Sequence, residues 1–299
     1  MGYFVYNVTT VSNNLTVRDF LIKNNLGKPK IYKLEINKCL YLNGKTVHGD
    51  AVMNLNDTLV IDTSILDNDL QSYVPFNKPI DILYEDEYLM VINKPSNTII
   101  YDNNSTTSLA NMISNYYLEN NEDWKVRPIH RLDKDTTGCI LIAKDVITHS
   151  RLTEMLENDE IKRYYYAVCY GKMTSRSGEI AFPIGSDRHI NGKMVITKNG
   201  KNAVTHYKVL ESNSNYTVLE LLLETGRTHQ IRVHLSYIGK PIVGDTLYGS
   251  NVTAKRYLLH SQRIEFKHPY KDELVVVKAN VPNDMKKYIK KSLQNEDTI

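Results

Sequence analysis

Apolar and polar positions alternate along most of the chain in short stretches, each closed by Gly, Asn, Asp or Pro. Alternation with period two predicts half-buried strands, whereas apolar residues three and four apart predict helices. After a strand-like opening, Thr16 stands as an N-cap with Asp19 three residues on, and Val17, Phe20 and Leu21 supply the apolar face of a helix. The following stretch, IYKLEINKCLYLNGKTVHGDAVMNLNDTLVID, ends in short strands around turns at Asn43-Gly44 and Gly49-Asp50. Together these outline a small unit, residues 1–64, close to the lower size limit for independent folding. Residues 65–79, polar and punctuated by Pro75 and Pro79, read as a linker, and 80–299 as a larger domain.

In that larger domain DILYEDEYLMVINKP predicts two strands around an acidic turn, closed by Lys94-Pro95. A helix is predicted from Ser108 to about Leu118, a strand through Cys139, Ile140, Leu141, Ile142 and Ala143, and a second helix from Asp145 to Leu156. The runs YYYAVCYG, AVTHYKVLE and YTVLELLLETG have strand length and β-propensity. The terminal NDMKKYIKKSLQNEDTI reads as a short amphipathic helix with a polar tail. No regular strand–helix alternation dominates, so the predicted class is α+β, a mixed, largely antiparallel sheet flanked by helices. The absence of a fixed-period repeat excludes solenoids and propellers.

Composition narrows the picture only modestly. The 299 residues are 41% hydrophobic and 24% charged, as in ordinary globular proteins, which argues against disorder and fibrous repeats. A net charge of +3 is compatible with a local nucleic-acid surface but does not demand one. Cys39, Cys139 and Cys169 form no C-x-x-C pair and are expected to be buried thiols. The opening MGYFVYNVTTVSNN lacks a basic segment followed by a long apolar one, and no stretch approaches the ~20 apolar residues of a membrane span. A cytoplasmic protein is expected.

Two strings concentrate chemistry. The first, His130-Arg131-Leu132-Asp133-Lys134-Asp135-Thr136-Thr137-Gly138, gathers acid, base and hydroxyl just before an apolar strand. Taken alone it is explained equally well as an exposed turn. The second, Thr225-Gly226-Arg227-Thr228-His229-Gln230-Ile231-Arg232-Val233-His234, follows an apolar run. If it opens a helix, His229 and Arg232 share a face, and first-turn amides could receive phosphate. His229 and His234, five apart, do not have metal-ligand spacing, so no metal is expected. Asn43-Gly44-Lys45-Thr46 resembles the end of a nucleotide-binding loop, but Cys39 stands where the preceding glycine is required.

The two strings together are similar to the signatures of the pseudouridine synthases that act on large-subunit ribosomal RNA and some transfer RNA. HRLDKDTTG resembles their H-R-L-D-x-x-T-S-G, and TGRTHQIRVHL, continuing into GKPIVGDTLYG, resembles T-G-R-x-H-Q-I-R-V-H-L. YEDEYLMVINKP, RYYYAVCYG and LLHSQRIEFKHP follow the family in order, so the resemblance spans roughly Ile80 to Met285. The amino-terminal unit looks, more loosely, like the small RNA-binding domain named for a small-subunit ribosomal protein.

The resemblance implies the pseudouridine synthase fold and an isomerase that needs no cofactor. It assigns Asp133 as the nucleophile, Arg232 as its cationic partner and Tyr165 as the ring that stacks on uracil and can assist proton removal, although a neighbouring tyrosine could take that place. Arg131 would fill the space vacated by the flipped nucleotide, at an unstacking cost of a few kcal/mol. His130, Arg227, His229 and Gln230 would contact RNA. Asp135 is a second carboxylate to test. The chain departs from the family at Lys94-Pro95-Ser96-Asn97, where Asn97 can tolerate the left-handed conformation that a glycine would adopt, and at Thr137 and Ser261. Attack at ribose and passage through a glycal both stay open. The expected substrate is large-subunit ribosomal RNA, with transfer RNA the alternative, and the expected state a monomer. Two other readings are a nucleosidase, which would want a second acid, and a noncatalytic RNA-binding assembly factor.

Overall fold

The computed structural model describes residues 2–67, 71–102, 104–251 and 254–289. Its first unit is a four-stranded antiparallel sheet of β1 (Tyr3–Asn7), β2 (Leu40–Leu42), β3 (Lys45–Thr46) and β4 (Thr58–Asp62), in the order β1-β4-β2-β3. Against it pack α1 (Val17–Lys23) and α2 (Lys28–Ile36). Thr16 caps α1 as expected, its hydroxyl accepting the Asp19 amide at 3.0 Å. The Asn43-Gly44 turn joins β2 to β3 with both residues at positive φ, the backbone of a tight hairpin. Helix α2 has no counterpart in the sequence reading: only Ile31 and Leu34 of its nine residues are buried, too few to set up an apolar stripe.

The second unit is a ten-stranded sheet. Its strands are β5 (Ile82–Glu85), β6 (Leu89–Lys94), β7 (Arg127–Pro128), β8 (Thr137–Ala143), β9 (Lys162–Tyr170), β10 (Ser177–Ala181), β13 (Val204–Ser212), β14 (Tyr216–Leu223), β15 (Leu259–Lys267) and β16 (Leu274–Lys278). A separate hairpin, β11 (Ile184–Ser186) with β12 (Met194–Ile196), stands apart from it. The sheet order is β10-β13-β14-β9-β15-β8-β6-β5, with β16 on β15 and β7 on β8. Its pairings are antiparallel except for β8 against β15, the feature that makes it mixed.

Period-two alternation explains how one sheet serves two cores. Met90, Ile92, Ile140 and Ile142 face one side, where α3 (Leu109–Glu119) contributes Leu109, Met112, Ile113 and Tyr117. Leu89, Val91, Cys139, Leu141 and Ala143 face the other, where α4 (Val146–Glu157) contributes Leu152 and Met155. All seven residues of β8 are therefore buried, as in a strand covered on both faces. The two predicted helices begin at the expected caps: Ser108 forms a capping box with Asn111, and the Asp145 carboxylate accepts the amides of Ile147 and Thr148. Helices α5 (Gln230–Tyr237) and α6 (Asn283–Lys286) complete the set. The rest of the predicted terminal helix, from 290 onward, lies outside the described residues. No described helix is long and apolar enough to cross a membrane.

The stretch read as a linker is bound to the domain where it is described. Phe76 donates its amide to Asn111 O at 3.0 Å, Asn111 Nδ2 donates to Val74 O, and Ser114 Oγ donates to Tyr73 O. Residues 68–70 of that stretch lie outside the described residues. The small unit also shares a core with the large one, since Phe4 and Tyr6 pack with Tyr88, Val146, Ile147 and Tyr270.

Candidate active site

A cleft of about 490 Å³ opens where β9, β14 and β15 meet the loop before β8 and the loop that leads into α5. Asp133, Tyr165 and Arg232 all line it, together with Leu132, Leu223, Ile231 and Leu259. Three residues far apart in sequence thus share one cavity whose lining mixes polar and apolar side chains.

Asp133 sits in the loop between His130 and β8 with its side chain 26% exposed, and Arg232 Nη1 lies 3.3 Å from Oδ2. Arg232 is itself held from behind. Its Nε and Nη2 donate to the two oxygens of the buried Asp245 at 2.7 and 2.9 Å, a bidentate pair. The rings of Tyr257 and Tyr248 flank the guanidinium at 4.1 and 4.9 Å. Burial works against the Arg232 charge, but the hydrogen bond and charge of Asp245 outweigh it and raise its pKa further. One face of the guanidinium is therefore fixed, and one nitrogen is left to orient Asp133.

The three consecutive tyrosines of β9 separate by strand alternation. Tyr165 lines the cleft, whereas Tyr164 carries the Arg263 guanidinium on its ring at 4.0 Å and Tyr166 packs into the core. Burial pushes the Tyr165 hydroxyl up, against Arg163 and a hydrogen bond with Ser261, so the phenol is protonated at neutral pH. The substituted Ser261 also donates to Cys139 O at 3.0 Å, and Thr137 Oγ1 bonds His260 Nδ1 at 2.8 Å. Both departures from the family pattern keep satisfied partners.

The remaining candidates divide into rim and wall. Arg131 is exposed, its guanidinium 5.8 Å from the ring of Tyr101, and Arg227 is exposed with Nε donating to Asn202 O. His229 precedes α5 in a left-handed conformation, with Nε2 at 3.8 Å from Asp133 Oδ2. The Tyr248 hydroxyl accepts from Met194 N at 2.9 Å and bonds His229 Nδ1 at 2.8 Å, which fixes the ring with Nε2 turned toward Asp133. Burial lowers the pKa of His229.

Gln230 and His130 line the cleft from inside its wall. Gln230 Oε1 accepts from Thr225 Oγ1 and Arg227 N, and its Nε2 donates to Val204 O and Thr205 Oγ1. This side chain braces the loop, and the first-turn amide of Gln230 itself is already donated to Arg227 O at 3.1 Å. His130 Nε2 accepts from Leu141 N at 3.3 Å, and burial pushes its pKa down to about 3. Asp135 is outside the cleft and accepts the amide of Asn97, which holds the expected left-handed turn at φ 55°. The two other carboxylates of the cleft, Glu157 and Glu224, are exposed, and Glu224 pairs with His206.

Several residues that organise the site carry no signal in the sequence reading. Lys94 is fully buried and its Nζ donates to Pro95 O, Thr98 O and Lys134 O, tying the end of β6 to the Asp133 loop. Arg256 donates to Asp135 O and pairs with Asp284 of α6. Asp245 and Tyr248 fall in the string GKPIVGDTLYG, which was matched as a continuation but assigned no role.

Comparisons with known proteins give the family. The RNA pseudouridylate synthase family profile matches residues 88–237. The chain is 39% identical over 264 residues to "Uncharacterized RNA pseudouridine synthase YhcT" of Bacillus subtilis (strain 168), covering 87% of each. It is 38% identical over 224 residues to "Ribosomal large subunit pseudouridine synthase D" of Vibrio parahaemolyticus, covering 69% of each. Human RNA Pseudouridylate Synthase Domain Containing 1 has the same fold, with a TM-score of 0.58 at 24% identity over 67% of this chain and 83% of that one. The mixed sheet, the cleft that joins its three motifs and these matches together establish that the chain belongs to the RNA pseudouridine synthase family.

Proposed function

We propose that this RNA pseudouridine synthase isomerises specific uridines of large-subunit ribosomal RNA, with Asp133 as nucleophile, Arg232 as the cation that keeps it ionised and aligned, and Tyr165 as the ring against the base. The observation that carries the reading is the convergence of these three side chains on one cleft, with Arg232 pinned by Asp245 so that a single nitrogen addresses Asp133.

The reaction detaches uracil from ribose, turns it and rejoins it through carbon. A carboxylate suits this because it can attack an anomeric carbon and leave again, as in retaining glycosidases. The exposed Arg131 takes the space that the flipped base vacates in the stack, and Arg227 and His229 meet phosphate at the rim. His130 and Gln230 support the RNA-contacting loops from within the wall. The small unit, residues 1–64, is the second RNA contact, with Lys23, Lys28, Lys30 and Lys38 exposed on and beside its helices. All named residues come from one chain, so a monomer suffices, working in the cytoplasm where ribosomes are assembled.

Pseudouridine mapping of total RNA from cells with and without the gene tests substrate and activity together: the modified position should disappear with the gene. Asp133→Ala should abolish product while RNA binding persists, because the substitution removes a negative charge that opposes phosphate. An unchanged product yield from that variant would defeat the proposed mechanism.

A further inference from the structure

Arg163 is a buried cation that forms no ion pair among the described residues. It lies on β9 two residues before Tyr165, so the two side chains leave the same face of the strand at Cα positions roughly 7 Å apart, and both line the cleft. The residue is only 5% exposed, and its Nε is buried without a hydrogen-bond partner. Among the described residues no carboxylate or carbonyl bonds its guanidinium. Its neighbour His130 is held neutral by burial and by Arg163 itself, and Glu157 and Glu224 face solvent. Gly226 adds to this picture, because a Cβ there would lie 3.1 Å from Arg163 Nη1. A side chain at 226 would crowd the guanidinium.

Removing an arginine from water with no partner is costly, and such a group persists where a ligand completes it. The charge balance of the cleft indicates which ligand. Asp133, Arg232 and Asp245 form a trio with one net negative charge, and the Arg232 cation is already committed to two carboxylates. Breaking the bond between ribose C1′ and uracil N1 sends its electron pair out on the base. This holds whether an Asp133 oxygen bonds C1′ in the same step or a proton leaves C2′ to give a glycal. The detached uracil is then an anion, its charge shared among N1, O2 and O4. On rejoining, C5 returns a pair to C1′ while any ester bond to Asp133 reverts to carboxylate, or any proton taken from C2′ is given back to it, and the proton that C5 then loses is balanced by one taken up at N1.

Resting on the isomerase reading above, we propose that Arg163 is a catalytic residue that binds this uracil anion, donating to a carbonyl oxygen of the base while Tyr165 holds the ring. The alternative partner, an RNA phosphate, suits the position less well. Phosphates remain on the outside of the chain, where the exposed Arg131 and Arg227 meet them, whereas Arg163 is enclosed beside the residue that touches the base.

The test compares wild type with Arg163→Gln and Arg163→Lys in single-turnover conversion of a uridine-containing substrate RNA and of the same RNA carrying 5-fluorouridine. Arg163→Gln should slow conversion of uridine by about 100-fold, as loss of one preorganised donor does elsewhere, with Arg163→Lys partly restoring the rate. The deficit should shrink on 5-fluorouridine consumption, because the fluorinated base is the more stable anion and depends less on the guanidinium. RNA affinity and its salt dependence should match wild type. Thermal unfolding of Arg163→Gln should occur no lower than wild type, since an uncompensated buried charge is removed; a structural residue would give the opposite. Equal rates, an equal deficit on both RNAs, or lost affinity with a shallower salt dependence would each overturn the assignment, the last in favour of a phosphate contact. A wild-type chain that leaves its uridine unchanged would sink the isomerase reading itself.

Discussion

Arg232 carries two carboxylates, and the asymmetry between them matters. Asp245 is buried and bidentate, whereas Asp133 is partly exposed and meets a single nitrogen at 3.3 Å. Asp245 thereby sets the direction from which the cation faces Asp133. Asp245→Ala should cost about 3–5 kcal/mol in denaturant unfolding, because it strands a buried arginine. Asp245→Asn keeps the shape and loses the charge. It should lower kcat on the order of 100-fold through misalignment with RNA affinity intact; a normal kcat would show that Asp245 does not orient the site. Asp133 and Arg232 were legible because each lies in a motif dense with polar residues. Asp245 was not, because an aspartate beside glycine reads first as a turn residue, and its partner lies thirteen positions back. Tyr165 was legible only to within one position among three tyrosines, and strand alternation, a property of β9 as a whole, separates them.

The parallel contact between β8 and β15 is the element on which the loop of Asp133 rests. It pairs His260 with Thr137 and Ser261 with Gly138, immediately after the loop that carries Asp133. Gly138 adopts φ +104°, and a Cβ there would lie 2.1 Å from Ser261 O. The terminal glycine of the first motif is therefore required by close backbone approach between two strands, beyond any need for a turn. Gly138→Ala should combine strain with overpacking and cost about 2–6 kcal/mol, read from the urea midpoint. A change below ~0.5 kcal/mol, the size of an ordinary surface substitution, would contradict this. Elements with strong caps or full burial, such as α3, α4 and β8, could be read directly from the sequence. Helix α2 and the short β10, β11 and β12 could not, because few of their residues are buried and tertiary packing, not local pattern, decides their state.

Across the whole molecule, polar side chains bury themselves at junctions, and their protonation ties stability to pH. The small unit joins the large one through an aromatic cluster, where Tyr88 donates to Val5 O at 3.0 Å and Arg127 pairs with Asp67 in the buried interior. That continuity was hidden in the sequence because the aromatic residues on its two sides, Phe4 and Tyr6 against Tyr88 and Tyr270, are separated by the polar stretch read as a linker. Two histidines, His130 beneath the active-site loop and His260 on β15, are held neutral, their pKa values pushed down by burial to about 3 and about 4 from an ordinary 6.5. His260 Nε2 donates to Ala279 O while its Nδ1 accepts from Thr137, so the neutral tautomer fills both sites. Below pH 6.5 the unfolded chain takes up protons that the folded chain refuses. The stability these residues contribute is complete above pH 6.5 and is lost as pH falls toward their folded values. Each adds ~1.4 kcal/mol per pH unit within that window, so the pair should lower unfolding free energy by about 4 kcal/mol between pH 7 and pH 5. Urea midpoints at pH 7, 6 and 5 measure the slope, to which His149, lowered to about 4 by burial, also contributes; His260→Gln, which cannot titrate, should make it shallower by ~1.4 kcal/mol per pH unit. A midpoint that does not move between pH 7 and pH 5 would mean that these rings gain protons in the folded state and that the burial around them is looser than the structure describes.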